Sequence, residues 1–90
     1  MNVVKEKTFI KYKNKKIHEQ GDTKSYVQAQ TLFDIVANGT RITVLDDQSG
    51  EDVTSMVLAR LIYERMRHNK VAFRPEDLSA LIRKSGVTKV

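Results

Sequence analysis

The apolar positions of this chain change period along its length, and each change predicts an element. Thr8 to Tyr12 carries β-formers and reads as a strand. Lys13-Asn14 follows as a turn, since Asn tolerates positive φ. Lys15 to Glu19 reads as a second strand, in which only Ile17 is apolar. Gln20-Gly21-Asp22-Thr23 is a stronger turn signal. Lys24 to Val27 reads as a returning strand, because Tyr26 and Val27 favour extended backbone. The predicted start is a short, polar β-meander behind a loose basic tail of residues 1–7.

From residue 28 the period becomes helical. Ala29, Leu32, Phe33 and Val36 share one face, and Asn38-Gly39 stops the helix because Gly accepts a left-handed cap. Arg41 to Leu45 alternates, with Ile42 and Val44 on one side and Thr43 and Leu45 on the other. Asp46 to Gly50 is a tight acidic turn. The longest helix is expected over about 54–68, capped by Asp52 or Thr54, with Val57, Leu58, Leu61, Ile62 and Met66 as its apolar stripe. Arg60 and Glu64 are expected to pair at i, i+4. A last helix is predicted over 75–85. Pro75 suits N1, Glu76 and Asp77 complement the dipole, and Gly86 stops it. Its expected buried face is Leu78, Leu81 and Ile82. The order is that of a small α+β domain: an N-terminal β-meander, then helix, strand and two C-terminal helices. Residues 8–70 form the expected domain proper, and residues 71–90 a helical extension packed on it.

Ninety residues with 40% hydrophobic content make one small domain. Its core is narrow, so burying further apolar area in a homo-oligomer would stabilise it. The absence of cysteine excludes disulfides and thiolate metal sites. No window supplies the run of apolar residues a membrane span needs, and the Lys-rich start has no apolar core of a secretory signal. A cytoplasmic protein is expected. The net charge is +5, and its distribution is uneven. Residues 1–26 set seven Lys against Glu6, Glu19 and Asp22, a net of +4. Residues 27–59 set Arg41 against five carboxylates, a net of −4, and residues 60–90 return to +5. Two basic regions flanking an acidic middle suit a polyanion binder. Charge alone does not separate that from an ordinary solvated surface.

Lys11, Lys13, Lys15 and Lys16 crowd one turn, interleaved with Tyr12 and followed by Tyr26. Alternate Lys on a ribbon point to one side, so no single core face answers them all, and phosphate oxygens are their natural partners. Asn14 at the tip and Tyr12 are candidates for finer contacts. Arg60 and Arg67, i and i+7 on the long helix, are secondary candidates, within a basic set that includes Arg65, Lys70 and Arg74. Catalysis has no support, since no Ser sits in a nucleophile elbow and His18 and His68 share no spacing. The acidic run Asp46, Asp47, Glu51, Asp52 lacks the alternating ligands of a calcium loop and reads as a polar turn that caps the next helix. No metal and no cofactor are expected. A rival to nucleic acid is an acidic protein partner docked on the basic ribbon.

Several segments together resemble a known family. Ile10-Lys11-Tyr12-Lys13-Asn14-Lys15-Lys16-Ile17, Ser25-Tyr26-Val27, Leu32-Phe33-Asp34-Ile35-Val36 with Gly39, Val44-Leu45-Asp46 and Ser49-Gly50-Glu51-Asp52-Val53-Thr54 are similar, in order and spacing, to the N-terminal DNA-binding domain of bacterial polyhydroxyalkanoate synthesis regulators. The resemblance covers roughly residues 9–66 and implies a small DNA-binding domain of a bacterial transcriptional regulator, with double-stranded DNA as partner. Lys15 and Lys16 stand where that family usually has two Arg, His18-Glu19-Gln20 where it has Tyr-Asp-Thr, and Gln28 where it has a capping Thr. Lys neutralises phosphate but lacks the planar fork of Arg, so phosphate contact is implied more strongly than base reading. The family's regulators carry a following region linked to polymer-granule sensing. Here the corresponding stretch is one short helix, and granule binding is not expected of it.

Overall fold

The computed structural model describes residues 5–22, 24–68 and 73–84. Six elements follow one another: β1 (Glu6–Lys11), β2 (Ile17–Glu19), α1 (Ala29–Ala37), β3 (Arg41–Asp46), α2 (Thr54–Arg67) and α3 (Pro75–Lys84). The domain is α+β, as the periodicity predicts. β1 starts at Glu6, so Glu6 and Lys7, expected in the tail, belong to the sheet.

The three strands form one sheet in the order β2-β1-β3. β1 and β2 are antiparallel, with Phe9 opposite Glu19 and Lys11 opposite Ile17. β1 and β3 are parallel, running in register from Glu6 beside Arg41 to Lys11 beside Asp46. The N-terminal strand is therefore the central one. Phe9, Ile42 and Val44 face the core, where Leu32 of α1 and Val57 and Leu61 of α2 meet them. Phe9 and Val44 are 0% exposed. Thr43 and Leu45 alternate to the other face and are half-buried, which is the pleat read from the sequence.

The expected third strand, Lys24 to Val27, is reduced to one bridge between Ile17 and Val27. The reason is local. Asp22 Oδ1 accepts the N–H groups of Lys24 and Ser25, which holds the chain in a turn through Ser25. α1 begins at Ala29, leaving too little extended chain for a ladder. α1 ends as expected. Gly39 takes φ +98°, its N–H bonds Val36 O, and the Thr40 N–H reaches Ile35 O. That pair of bonds is a Schellman motif, and it needs the left-handed residue at Gly39.

After β3 the chain doubles back onto it. Asp46 N bonds Glu51 O, Leu45 bridges to Asp52, and Val53 N bonds Val44 O. Thr54 Oγ1 then accepts the Val44 N–H at 2.7 Å and donates to Asp52 Oδ1 at 2.6 Å. The N-cap of α2 is Val53, without a side-chain bond, rather than Asp52 or Thr54. Those two side chains instead tie the helix start to β3. The expected Arg60–Glu64 pair also does not form: Glu64 Oε1 lies 3.3 Å from Arg67 and 3.9 Å from His68. The arginine three residues on reaches the carboxylate at the helix end, where its charge also suits the dipole.

α3 starts at Pro75, as expected, and Asp77 does more there than complement the dipole. Asp77 Oδ2 accepts the Arg74 N–H at 3.1 Å, the reciprocal half of a capping box. Its expected buried face differs. Leu78 is half-buried, Leu81 is 57% exposed and Ile82 69% exposed, and no residue of α3 is buried. The Asn69-Lys70 break and the Gly86 stop lie outside the described residues.

Candidate nucleic-acid interface

The basic turn is a three-residue hairpin loop between β1 and β2. Tyr12 N bonds Lys16 O at 2.9 Å and Lys15 N bonds Tyr12 O at 2.8 Å. Asn14 Oδ1 accepts the Lys16 N–H at 3.0 Å. This loop type needs a left-handed residue at its third position, usually Gly. Here that residue is Lys15, with φ +69°. The positive φ expected near Asn14 falls one residue later, because Asn14 serves through its side chain.

Lys13, Asn14, Lys15 and Lys16 are exposed, while Lys11 and Tyr12 are half-buried. Among the described residues no carboxylate pairs with Lys13, Lys15 or Lys16. Some cations elsewhere are paired: Lys7 lies 3.6 Å from Glu19, Arg41 3.9 Å from Glu6, and Arg74 3.8 Å from Asp77. Lys11 is beside Asp46 in the register.

Two tyrosines separate in role. Tyr12 packs edge-on against His18, with ring centres 5.0 Å apart. Tyr26 is 49% exposed, and the Lys16 ammonium sits 4.6 Å from its ring centre. The candidate arginines separate too. Arg60 lines the same surface groove as Lys11, Lys15, Lys16 and Tyr26, with no carboxylate partner among the described residues. Arg67 is drawn to Glu64 and to the Tyr63 ring, 6.0 Å away. Arg65 is half-buried over Phe33 and bonds Gln30 Oε1 at 3.0 Å, so it fastens α2 to α1.

Tyr26 lies further into the groove than its place in the sequence shows. The signal was present in the Tyr-Val pair that returns beside Ile17. Gln28, at the start of α1, makes no side-chain cap bond and lines the groove. The first-turn N–H groups of α1 therefore have no side-chain acceptor, next to a cluster of cations.

The acidic turn has the opposite character. Asp46 Oδ2 accepts Gln48 N at 3.0 Å, Ser49 N at 2.9 Å and Ser49 Oγ at 3.2 Å. Ser49 N–H above all lowers the Asp46 pKa, helped by the Ser49 hydroxyl, Gln48 N–H and Lys11 against some burial. The Thr54 hydroxyl and then the Thr54 N–H lower that of Asp52.

Residues 8–69 match the PHB/PHA accumulation regulator DNA-binding domain. The chain belongs to that family. No curated protein and no solved structure matches the chain. The PHB/PHA accumulation regulator domain thus runs from within β1 through α2, and α3 lies beyond it. The protein is a DNA-binding domain of a transcriptional regulator resembling those of polyhydroxyalkanoate accumulation, and DNA is its partner. No helix among the described residues is long and apolar enough to cross a membrane.

Proposed function

We propose that this regulator domain grips duplex DNA through the loop between β1 and β2. Lys13, Lys15 and Lys16 contact phosphates, Lys11 and Arg60 extend the positive surface, and Asn14 and Tyr12 supply finer contacts. The observation that carries this reading is the left-handed Lys15. A non-Gly residue there costs roughly 1–2 kcal/mol, which a glycine would avoid. The chain instead keeps an unpaired cation at the position, and strain retained at a surface turn points to use. The domain acts by binding rather than catalysis, works as a homo-oligomer in the cytoplasm, and its role does not include granule binding.

The test is a titration of duplex DNA across a salt series. With about four lysines engaged, log K against log salt falls with a slope of about −3 to −4. A salt-insensitive affinity, or no binding at low salt, would sink the electrostatic reading.

A further inference from the structure

The loop lysines suit phosphates, and phosphates are alike at every DNA sequence. Discrimination takes side chains that reach base edges, of which the commonest is an arginine forked onto a guanine. Lysine lacks that planar fork. Within the residues that match the family, 8–69, the arginines are Arg41, Arg60, Arg65 and Arg67. Arg41 starts β3, at the opposite end of the sheet from the loop, and lies beside Glu6. Arg65 is held by Phe33 and Gln30, and Arg67 by Glu64 and the Tyr63 ring. Arg60 has no carboxylate, amide or ring partner among the described residues. It is exposed and opens onto the groove that Lys11, Lys15 and Lys16 also line.

The helix around Arg60 suits the reading of bases. α2 has 14 residues and so spans about 21 Å. Its exposed positions Ser55, Met56, Ala59, Arg60, Tyr63 and Arg67 fall on one arc, turned away from buried Val57 and Leu61. Ser55 and Ala59 are small, so the helix backbone can come close to DNA. No carboxylate lies on the arc: Glu64, the one acidic residue of α2, is half-buried and turned to Arg67 and His68. Met56 and Tyr63, 72% and 59% exposed, flank Arg60 at i−4 and i+3. Large apolar neighbours suit base edges and methyl groups rather than phosphates. The major groove of B-form DNA is about 12 Å wide and admits a helix.

We propose that α2 reads sequence from the major groove, with Arg60 donating two N–H groups to the O6 and N7 of one guanine while the loop lysines hold neighbouring phosphates. The inference rests on the DNA contact proposed above, and names the residue that discriminates among sequences within it.

The experiment first selects bound sequences from random duplex DNA with the full chain. Wild type, Arg60→Lys and Arg60→Ala are then titrated against the selected duplex, a random-sequence duplex of equal length, and the selected duplex with 7-deazaguanine at each of its guanines in turn. Arg60 is exposed, so both variants fold, as a thermal melt checks. Arg60→Lys keeps the charge and loses the fork, so affinity for the selected duplex falls about 10-fold or more relative to the random one. One 7-deazaguanine position, which lacks the N7 acceptor, weakens wild type and leaves Arg60→Ala indifferent. Equal losses on both duplexes with Arg60→Lys, or an unaltered preference, overturn the assignment. A wild type that binds duplex but selects no sequence also overturns it, and phosphate contact by the loop then stands. A wild type that binds no duplex at low salt overturns both.

Discussion

The loop after β1 and the turn after β3 leave the same end of the sheet, because Lys11 and Asp46 are register partners and Asp47 N bonds Lys11 O at 2.9 Å. One is basic and one acidic, and their charges are handled differently. In the acidic turn the carboxylates of Asp46 and Asp52 accept N–H and hydroxyl groups of their own segment, and the result is a clamp between β3 and α2. In the basic loop the backbone closes itself with Asn14, and the ammonium groups of Lys13, Lys15 and Lys16 are left without carboxylates among the described residues. A dense run of charge therefore has no meaning until its partners are counted. Charge consumed by the fold is structural. Charge left over is available to a ligand.

The largest effect that would break this contrast is expected from Lys15→Glu with Lys16→Glu. The change reverses four units of charge on exposed side chains, and DNA affinity should fall about a hundredfold or more at low salt. A thermal melt should barely move. If melt and affinity both hold, the loop is not the contact surface and the arginine-bearing end of α2 replaces it.

Thr54→Val probes the acidic side. It preserves shape but removes the acceptor of the Val44 N–H in the core, and should cost about 1–3 kcal/mol in urea denaturation. DNA affinity of the folded protein should not change. A parallel loss of affinity would show that the two turns are not separable.

Lys15→Gly sharpens the contrast within one residue. Relief of the left-handed strain should raise stability by about 1 kcal/mol. The same change removes one phosphate contact, so the salt slope should shrink by about 1. A variant that gains stability and keeps the full slope would place Lys15 off the DNA.

The smallest effect concerns pH. Asp46 and Asp52 have folded-state pKa values below the ordinary 3.8. Their stabilisation is fully present above 3.8 and is lost as pH falls through the lower folded-state values. Asp46→Asn should melt below wild type at neutral pH, and the gap should close in strong acid. A gap that persists there would show that the wild-type turn does not depend on ionised Asp46.

The helices and β3 were legible because each has one period and a physical stop: Leu32 and Gly39 for α1, Ile42 and Val44 for β3, Pro75 and Asp77 for α3. The third strand was not, because its fate turned on Asp22 capping two N–H groups, which propensity at Tyr26 and Val27 does not register. The α2 cap misled for a related reason. Asp52 and Thr54 have capping chemistry, but Asp52 accepts the Thr54 hydroxyl and N–H, and the Thr54 hydroxyl is turned to the Val44 N–H on β3. At the candidate site, Lys13 to Lys16 stood out by composition. Separating Arg60 from Arg67 required knowing where Glu64 points, since both arginines satisfy the same helical spacing.

The parallel pairing of β1 with β3 also bears on how the basic loop comes to exist during synthesis. Glu6 pairs with Arg41 and Lys11 with Asp46, partners 35 residues apart. Closing a loop of that length carries an entropic cost of about 3 kcal/mol beyond a constant. The β1–β2 hairpin has three register pairs, too few to persist alone in water. A nascent chain that has emerged only as far as Gly39 already contains every lysine of the loop, yet only the loop's own few bonds hold their arrangement. The loop's shape is secured once β3 closes the sheet, so the arrangement of its lysines appears with completion of the fold rather than with their synthesis.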